Sequence, residues 1–181
     1  MSRYVAFLRA INTTGRRAKN VQLSDAFRNV GASYAQGFLA SGNVVFDIDR
    51  PVDDDLVEEI ELALHAMCGF DIPTIIRTAA EVRLVSQCRP FAIELINRST
   101  GQLYAGFLKS TPNAENIENV VARSTRSDLL AIHERELYWL PMASEFESDI
   151  SIPRLERELG TMTVRVMNTV NRIVDSFLAI E

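Results

Sequence analysis

The residues that most often carry chemistry are scarce in this sequence. Its 181 residues include two cysteines, two histidines and one tryptophan. Cys68 and Cys88 alone cannot build a disulfide framework, so a small secreted scaffold is excluded and a reduced, cytoplasmic setting is expected. No apolar run approaches the ~20 residues that cross a bilayer, so no membrane role is expected. The opening stretch Tyr4-Val5-Ala6-Phe7-Leu8 is too short for a signal-peptide core, and Arg9 interrupts it. There is no G-x-G-x-x-G, no phosphate-binding loop ending in Gly-Lys-Ser/Thr, no G-x-S-x-G and no H-E-x-x-H. These absences leave no catalytic residue to name and no cofactor to expect.

Metal ligands are equally hard to assemble. His65 and Cys68 share a helix face, and Cys88 with His133 completes a zinc set on paper. Zinc ligands usually come in tighter pairs such as Cys-x-x-Cys, so no metal site is assigned. The run Asp53-Asp54-Asp55 reads as a helix start, where carboxylates complement the helix dipole. His133 beside Glu134 has the residue type of a general base, but its position reads as an exposed turn histidine.

What remains is ordinary in amount and uneven in placement. The hydrophobic share of 47% and charged share of 24% suit a globular chain with one sizeable core or two small ones. Residues 1–50 carry seven basic and three acidic side chains, net +4; residues 51–181 carry twelve and twenty-one, net −9; the sum is −5. Within the first twenty residues there are five cations (Arg3, Arg9, Arg16, Arg17, Lys19) and no anion. Such a patch attracts phosphate or carboxylate, while the whole molecule repels a nucleic-acid backbone.

Periodicity and punctuation give the elements. Strands are predicted at 3–9, 34–39, 44–48 and 72–77, with Ser41-Gly42-Asn43 as the tight turn of a hairpin. Helices are predicted from Val21 to Gly31 and from Pro51 to Gly69. The second half is predicted to repeat the theme. Thr78-Ala79-Ala80-Glu81 starts a helix, 91–96 makes a helical turn, 103–108 a strand and Thr111-Pro112 opens another helix. A strand pair follows at 127–133 and 136–140, then a helix at 152–159 and a last helix through Val170, Ile173, Val174 and Phe177. Phe7-Leu8-Arg9 and Phe107-Leu108-Lys109 sit at matching points, which suggests a duplicated α+β unit.

Three stretches resemble a known family. Tyr4-Val5-Ala6-Phe7-Leu8-Arg9-Ala10-Ile11-Asn12 and Ser41-Gly42-Asn43-Val44-Val45-Phe46 look like the opening of domain-of-unknown-function family 1697. Thr163-Val164-Arg165-Val166-Met167-Asn168-Thr169-Val170 resembles that family's C-terminal signature. The resemblance implies an α+β fold of two tandem ferredoxin-like lobes with antiparallel sheets, mostly in bacteria, and no established activity. The lobes are expected at 1–77 and 78–181, with the C-terminal helix packing back. The sequence departs from the family where Ala10 replaces a glycine, Thr13-Thr14 a Gly-rich turn, and Val166-Met167 an Asn-Trp pair.

The polar residues kept from both signatures are the ligand-binding candidates: Arg9, Asn12, Ser41, Asn43, Arg165, Asn168 and Thr169. Arg16, Arg17 and Lys19 would attract an anion from a distance. Plainer roles exist: Asn168 as cap of the last helix, Gly42 and Asn43 as turn residues. The first expectation is a cytoplasmic binding protein for a small anionic ligand or a protein partner. Its alternatives are a nucleic-acid-binding module, which the acidic net charge opposes, and an enzyme acting on a phosphorylated small molecule. Oligomeric state is not legible.

Overall fold

The computed structural model describes residues 2–13, 15–143, 145 and 148–179. Among them the chain is α+β, with eight strands, seven helices and two similar lobes. It divides into one compact unit of Met1–Arg83 with Ile173–Glu181, and a second of Leu84–Arg172. The first unit thus runs past residue 77 and takes in the end of the last helix.

The first unit is built from β1 (Ser2–Leu8), α1 (Asn20–Asn29), β2 (Tyr34–Phe38), β3 (Asn43–Ile48), α2 (Asp54–Cys68) and β4 (Thr74–Thr78). Its strands form an antiparallel sheet in the order β2-β3-β1-β4. Side chains alternate across a strand, so Ala6 and Leu8 face the helices while Val5 and Phe7 face away. The helix-side core joins Ala6, Leu8, Val44 and Phe46 to Leu23 and Phe27 of α1 and Leu56, Ile60 and Leu64 of α2. Each such large apolar side chain contributes ~1.5–3 kcal/mol on burial. α2 starts where Asp53 accepts the Leu56 N–H at 2.9 Å and stops at left-handed Gly69.

The other face of this sheet is buried too: Val5, Phe7 and Val45 are inaccessible. The end of the last helix, α7 (Met167–Phe177), reaches it. Phe177 meets Phe38 edge-on at 5.2 Å. Arg3 holds this contact by donating to the Phe177 carbonyl at 3.0 Å while its fork grips Asp47 at 2.7 Å. That hydrogen bond to Asp47 raises the pKa of Arg3.

The second unit repeats the arrangement with β5 (Tyr104–Leu108), α5 (Ala114–Val121), β6 (Asp128–His133), β7 (Glu136–Pro141), α6 (Ile152–Leu159) and β8 (Met162–Val166). The sheet order is β6-β7-β5-β8, again antiparallel. Its core joins Tyr104, Leu108, Leu137 and Trp139 to Val120 of α5 and Leu155 and Leu159 of α6. The Trp139 indole donates to buried Asp128 at 2.8 Å. α3 (Ala79–Gln87) and α4 (Ile93–Arg98) precede this sheet. Thr78 and Glu81 close a capping box at the start of α3, as predicted, through bonds of 2.7 and 3.1 Å.

The structure corrects four local expectations. Met162–Val166 is a strand, β8, bonded to β5, where only the following helix was predicted. Asn168 lies inside the first turn of α7 and not at its cap, because β8 runs directly into the helix at Met167. Asn43 is not a turn residue; it opens β3, fully buried, and its amide donates to Phe38 O at 2.9 Å and Ser41 Oγ at 3.0 Å. α5 begins at Ala114, after Asn113 accepts the Asn116 N–H at 2.7 Å.

Both lobes treat their edge strands alike. Ser24 of α1 accepts the Gly37 N–H of β2 at 2.8 Å, and Arg28 donates to Ala35 O at 2.7 Å. Ser124 accepts the Leu130 N–H of β6 at 2.9 Å and donates to its carbonyl at 3.2 Å. On the opposite edges, Glu61 takes the Thr74 N–H of β4 at 2.8 Å and Glu156 takes the Met162 N–H of β8 at 3.2 Å. Edge strands leave backbone groups open to chain pairing, and these side chains use them up.

Candidate functional site

Two connections at one end of the first lobe are longer than their counterparts in the second. β1 and α1 are joined by residues 9–19, whereas β5 and α5 are joined by 109–113. β2 and β3 are joined by 39–42, whereas β6 and β7 are joined by 134–135. In the first unit the two longer loops touch. Ile11 lies against the hairpin turn so closely that a Cβ on Gly42 would sit 2.4 Å from its Cδ1. Gly42 also has φ +78°, so the turn needs glycine for both reasons. Its carbonyl accepts the Leu8 N–H at 2.8 Å, which pins the turn to the end of β1.

Asn12 ties the loops again. Its Nδ2 donates to Ala40 O at 2.6 Å, and its Oδ1 accepts the Ala18 N–H at 3.2 Å. The backbone here is unusual. Ala10 (φ 55°), Asn12 (54°) and Leu39 (60°) are left-handed; among the described residues only Glu134 joins them outside glycine. Left-handed backbone costs a residue with a Cβ ~1–2 kcal/mol, least for Asn. Strain of this kind concentrates at binding sites.

Between these walls lies an open cleft of about 1080 Å³, lined by Asn12, Thr13, Arg17, Lys19, Asn20 and Leu39 among others. Its floor is the start of α1. Asn20 reaches it because Gly37 has no side chain: a Cβ there would lie 2.7 Å from Asn20 Cβ. Lys19 precedes the helix, and its N–H donates to Gln22 Oε1 at 3.0 Å. The first turn of α1 carries no acid, so no carboxylate offsets the positive end of the helix dipole. Arg17 and Lys19 are exposed and line the cleft. Arg16 stands beside them with its guanidinium 5.6 Å from the Phe70 ring centre. Among the described residues the lining contains two cations and no anion.

The sequence-predicted site residues separate by unit. Arg9, Asn12, Arg16, Arg17, Lys19, Ser41 and Asn43 belong to the first unit, at or next to these two loops. Arg9 begins the longer loop, its N–H donating to Pro73 O at 2.9 Å. Ser41 is exposed in the turn and accepts from Asn43. Arg165, Asn168 and Thr169 belong to the second unit. Arg165 is 6% exposed within β8, and its guanidinium donates to Thr163 Oγ1 at 2.8 Å and Val164 O at 2.9 Å. Burial lowers its pKa to about 10. Asn168 is exposed and Thr169 half-buried on the first turn of α7. The sequence reading missed Leu39, Ala40 and Asn20 as cleft residues. It also missed buried Arg77, for which an arginine ending the apolar run Ile75-Ile76 was the available signal.

The histidines and cysteines do not gather. His65 pairs with Asp71 at 2.8 Å on the first unit, and His133 leans on Tyr138 at 5.7 Å on the second. Burial, then a hydrogen bond with Cys88, raises the Tyr138 pKa. Both cysteines are free. Among the described residues no group of His, Cys, Asp and Glu is placed to hold a metal ion. Nor is any described helix long and apolar enough to cross a membrane.

Fold and loops together define an α+β protein of two similar lobes, with a basic cleft on the first. The chain belongs to the family described as "Protein of unknown function (DUF1697)", whose model matches residues 1–138. The C-terminal stretch Thr163–Val170 lies beyond that match. The fold is similar to that of a conserved bacterial protein, SP0830, from Streptococcus pneumoniae. The identity is 15%, the match covers 97% of each chain, and the TM-score is 0.70. At that identity the likeness speaks for the fold alone. No curated protein sequence matches the chain.

Proposed function

We propose that the protein binds a small anionic ligand in the cleft between residues 12–20 and the 39–42 turn. One observation carries this reading. The cleft is built from two touching connections that are longer in the first lobe than in the second, and both of its charged lining residues, Arg17 and Lys19, are cations. Loops that depart from a shared scaffold are where binding residues concentrate. A helix N-terminus without an acidic first turn adds backbone N–H donors and a favourable dipole. Arg165, buried in β8, acts here as a structural arginine, and the site uses the first-unit candidates alone.

The same reading treats each lobe as a ferredoxin-like unit and the pair as a duplication. Three features support it: the shared sheet order, the opposition of Val5 to Arg77 and Ala105 to Arg165, and the matching N–H bonds of Arg9 to Pro73 and Lys109 to Thr161, both 2.9 Å. Two free cysteines suit a reducing, cytoplasmic setting.

A thermal-shift titration with inorganic phosphate, pyrophosphate, nucleotides and short oligonucleotides tests the binding. Saturation ~100-fold above Kd adds roughly 2.7 kcal/mol to stability, a visible shift. The expected response comes from phosphate-bearing small molecules, fades with salt, and disappears in Arg17→Met/Lys19→Met. An unchanged response in that double variant overturns the placement of the site. A response to oligonucleotides alone overturns the ligand class.

A further inference from the structure

We infer that Asn12 is the positioning residue of this cleft: its amide locks the two walls and thereby sets Arg17, Lys19 and the start of α1 against the ligand. The inference rests on the anion-binding reading above. Each polar atom of the amide makes one bond within the protein. Nδ2 donates one of its hydrogens to Ala40 O at 2.6 Å, and Oδ1 accepts the Ala18 N–H at 3.2 Å. Those partners also fix which way the amide points, since the reverse orientation would oppose two donors and two acceptors.

What Asn12 grips matters more than how tightly. Ala18 is 7% exposed and sits between the two cleft cations, Arg17 and Lys19. Holding its N–H fixes the backbone from which both cationic side chains leave. The next N–H, on Lys19, is held by Gln22 of the first helical turn. Asn12 therefore extends the order of α1 backwards into the loop. Its other bond carries the same constraint across to Ala40, which lines the facing wall.

Few residues could do this. The backbone at position 12 is left-handed (φ 54°), which Asn and Gly tolerate best. Glycine fits the backbone but has no amide. Aspartate keeps the acceptor, loses the donor and puts a negative charge in a basic cleft.

The experiment pairs hydrogen exchange with pyrophosphate titration, on the full chain, for wild type, Asn12→Gly and Asn12→Asp. Without ligand, the Ala18 amide is expected to be protected in wild type and released in Asn12→Gly. Asn12→Gly should bind pyrophosphate about ten-fold more weakly, and Asn12→Asp more weakly still. Asn12→Asp keeps the Ala18 acceptor, so its further loss separates charge in the cleft from loosening of the loop. An Ala18 amide that exchanges equally fast in wild type and Asn12→Gly overturns the lock itself. Binding unchanged in Asn12→Gly overturns the positioning role while the cleft reading stands. A wild type that never responds to pyrophosphate, with Ala18 protected, overturns the cleft reading and this role with it.

Discussion

Arg77 and Arg165 occupy the same place in the two sheets. Arg77 lies opposite Val5 on β4, Arg165 opposite Ala105 on β8, and β1 and β5 are the central strands they pair with. Each is almost fully buried, at 1% and 6% exposed. Each turns its guanidinium back to donate to the carbonyl just before it, Ile76 O at 3.0 Å and Val164 O at 2.9 Å. A carbonyl of each edge strand is thereby satisfied from within its own strand.

Arg77→Met and Arg165→Met should each lower stability, by about 1–3 kcal/mol, since methionine keeps the apolar stem and leaves the edge carbonyl unpaired. Urea unfolding measures this. Ligand response at the first-lobe cleft should survive Arg165→Met; its loss would return Arg165 to the binding site.

The serine guards give a paired test. Ser24→Ala strips the Gly37 N–H of its acceptor, and Ser124→Ala strips both Leu130 groups. Each should cost about 1–3 kcal/mol. Amide exchange at Gly37 or Leu130 should rise in the matching variant only. Equal exchange in both variants would mean that the serines do not hold these edges.

Gly42→Ala should destabilise by about 2 kcal/mol or more, from left-handed backbone and from the clash with Ile11. Ile11→Ala removes the clashing atoms. In the double variant the losses should therefore sum to less than the two singles, as a thermal double-mutant cycle reads directly. Strict additivity would show that the turn and the loop do not touch as described.

Cys68 follows a pH rule. Burial raises its thiol pKa, so folding favours the protonated form. The associated stability is present below the unfolded thiol pKa and is lost as pH rises through the higher folded value. Alkylation of Cys68 by iodoacetamide should therefore be slow at pH 8 and accelerate when urea unfolds the chain. Equal rates folded and unfolded would contradict the raised pKa.

Much of the fold was legible because it is written in short-range chemistry. Asp53 and the Thr78–Glu81 box mark helix starts through bonds only three residues long, and Gly69 marks a stop through its own backbone. The hairpin at Ser41-Gly42 and the cations of residues 9–19 were visible for the same reason. β8 was not. Met162–Val166 runs straight into α7 with no turn residue between them, so nothing local marks where strand ends and helix begins, and the ladder to β5 makes it a strand.

The sequence by itself determined the α+β class, the repeat of Phe7-Leu8 in Phe107-Leu108, and a basic loop with no anion among the first twenty residues. These depend on residue type and local spacing, which the chain carries at every stage of folding. Tertiary structure alone decided that Arg165 is buried while Arg17 and Lys19 stay exposed, since charge type is the same and only the place in the fold differs, a packed strand for one and a surface loop for the others. It also decided that Asn12 bonds Ala40, twenty-eight residues away, and so made a cleft from two loops. A side chain's partner across such a separation is chosen by how β1 and β3 pair, and that choice is made by packing the whole lobe.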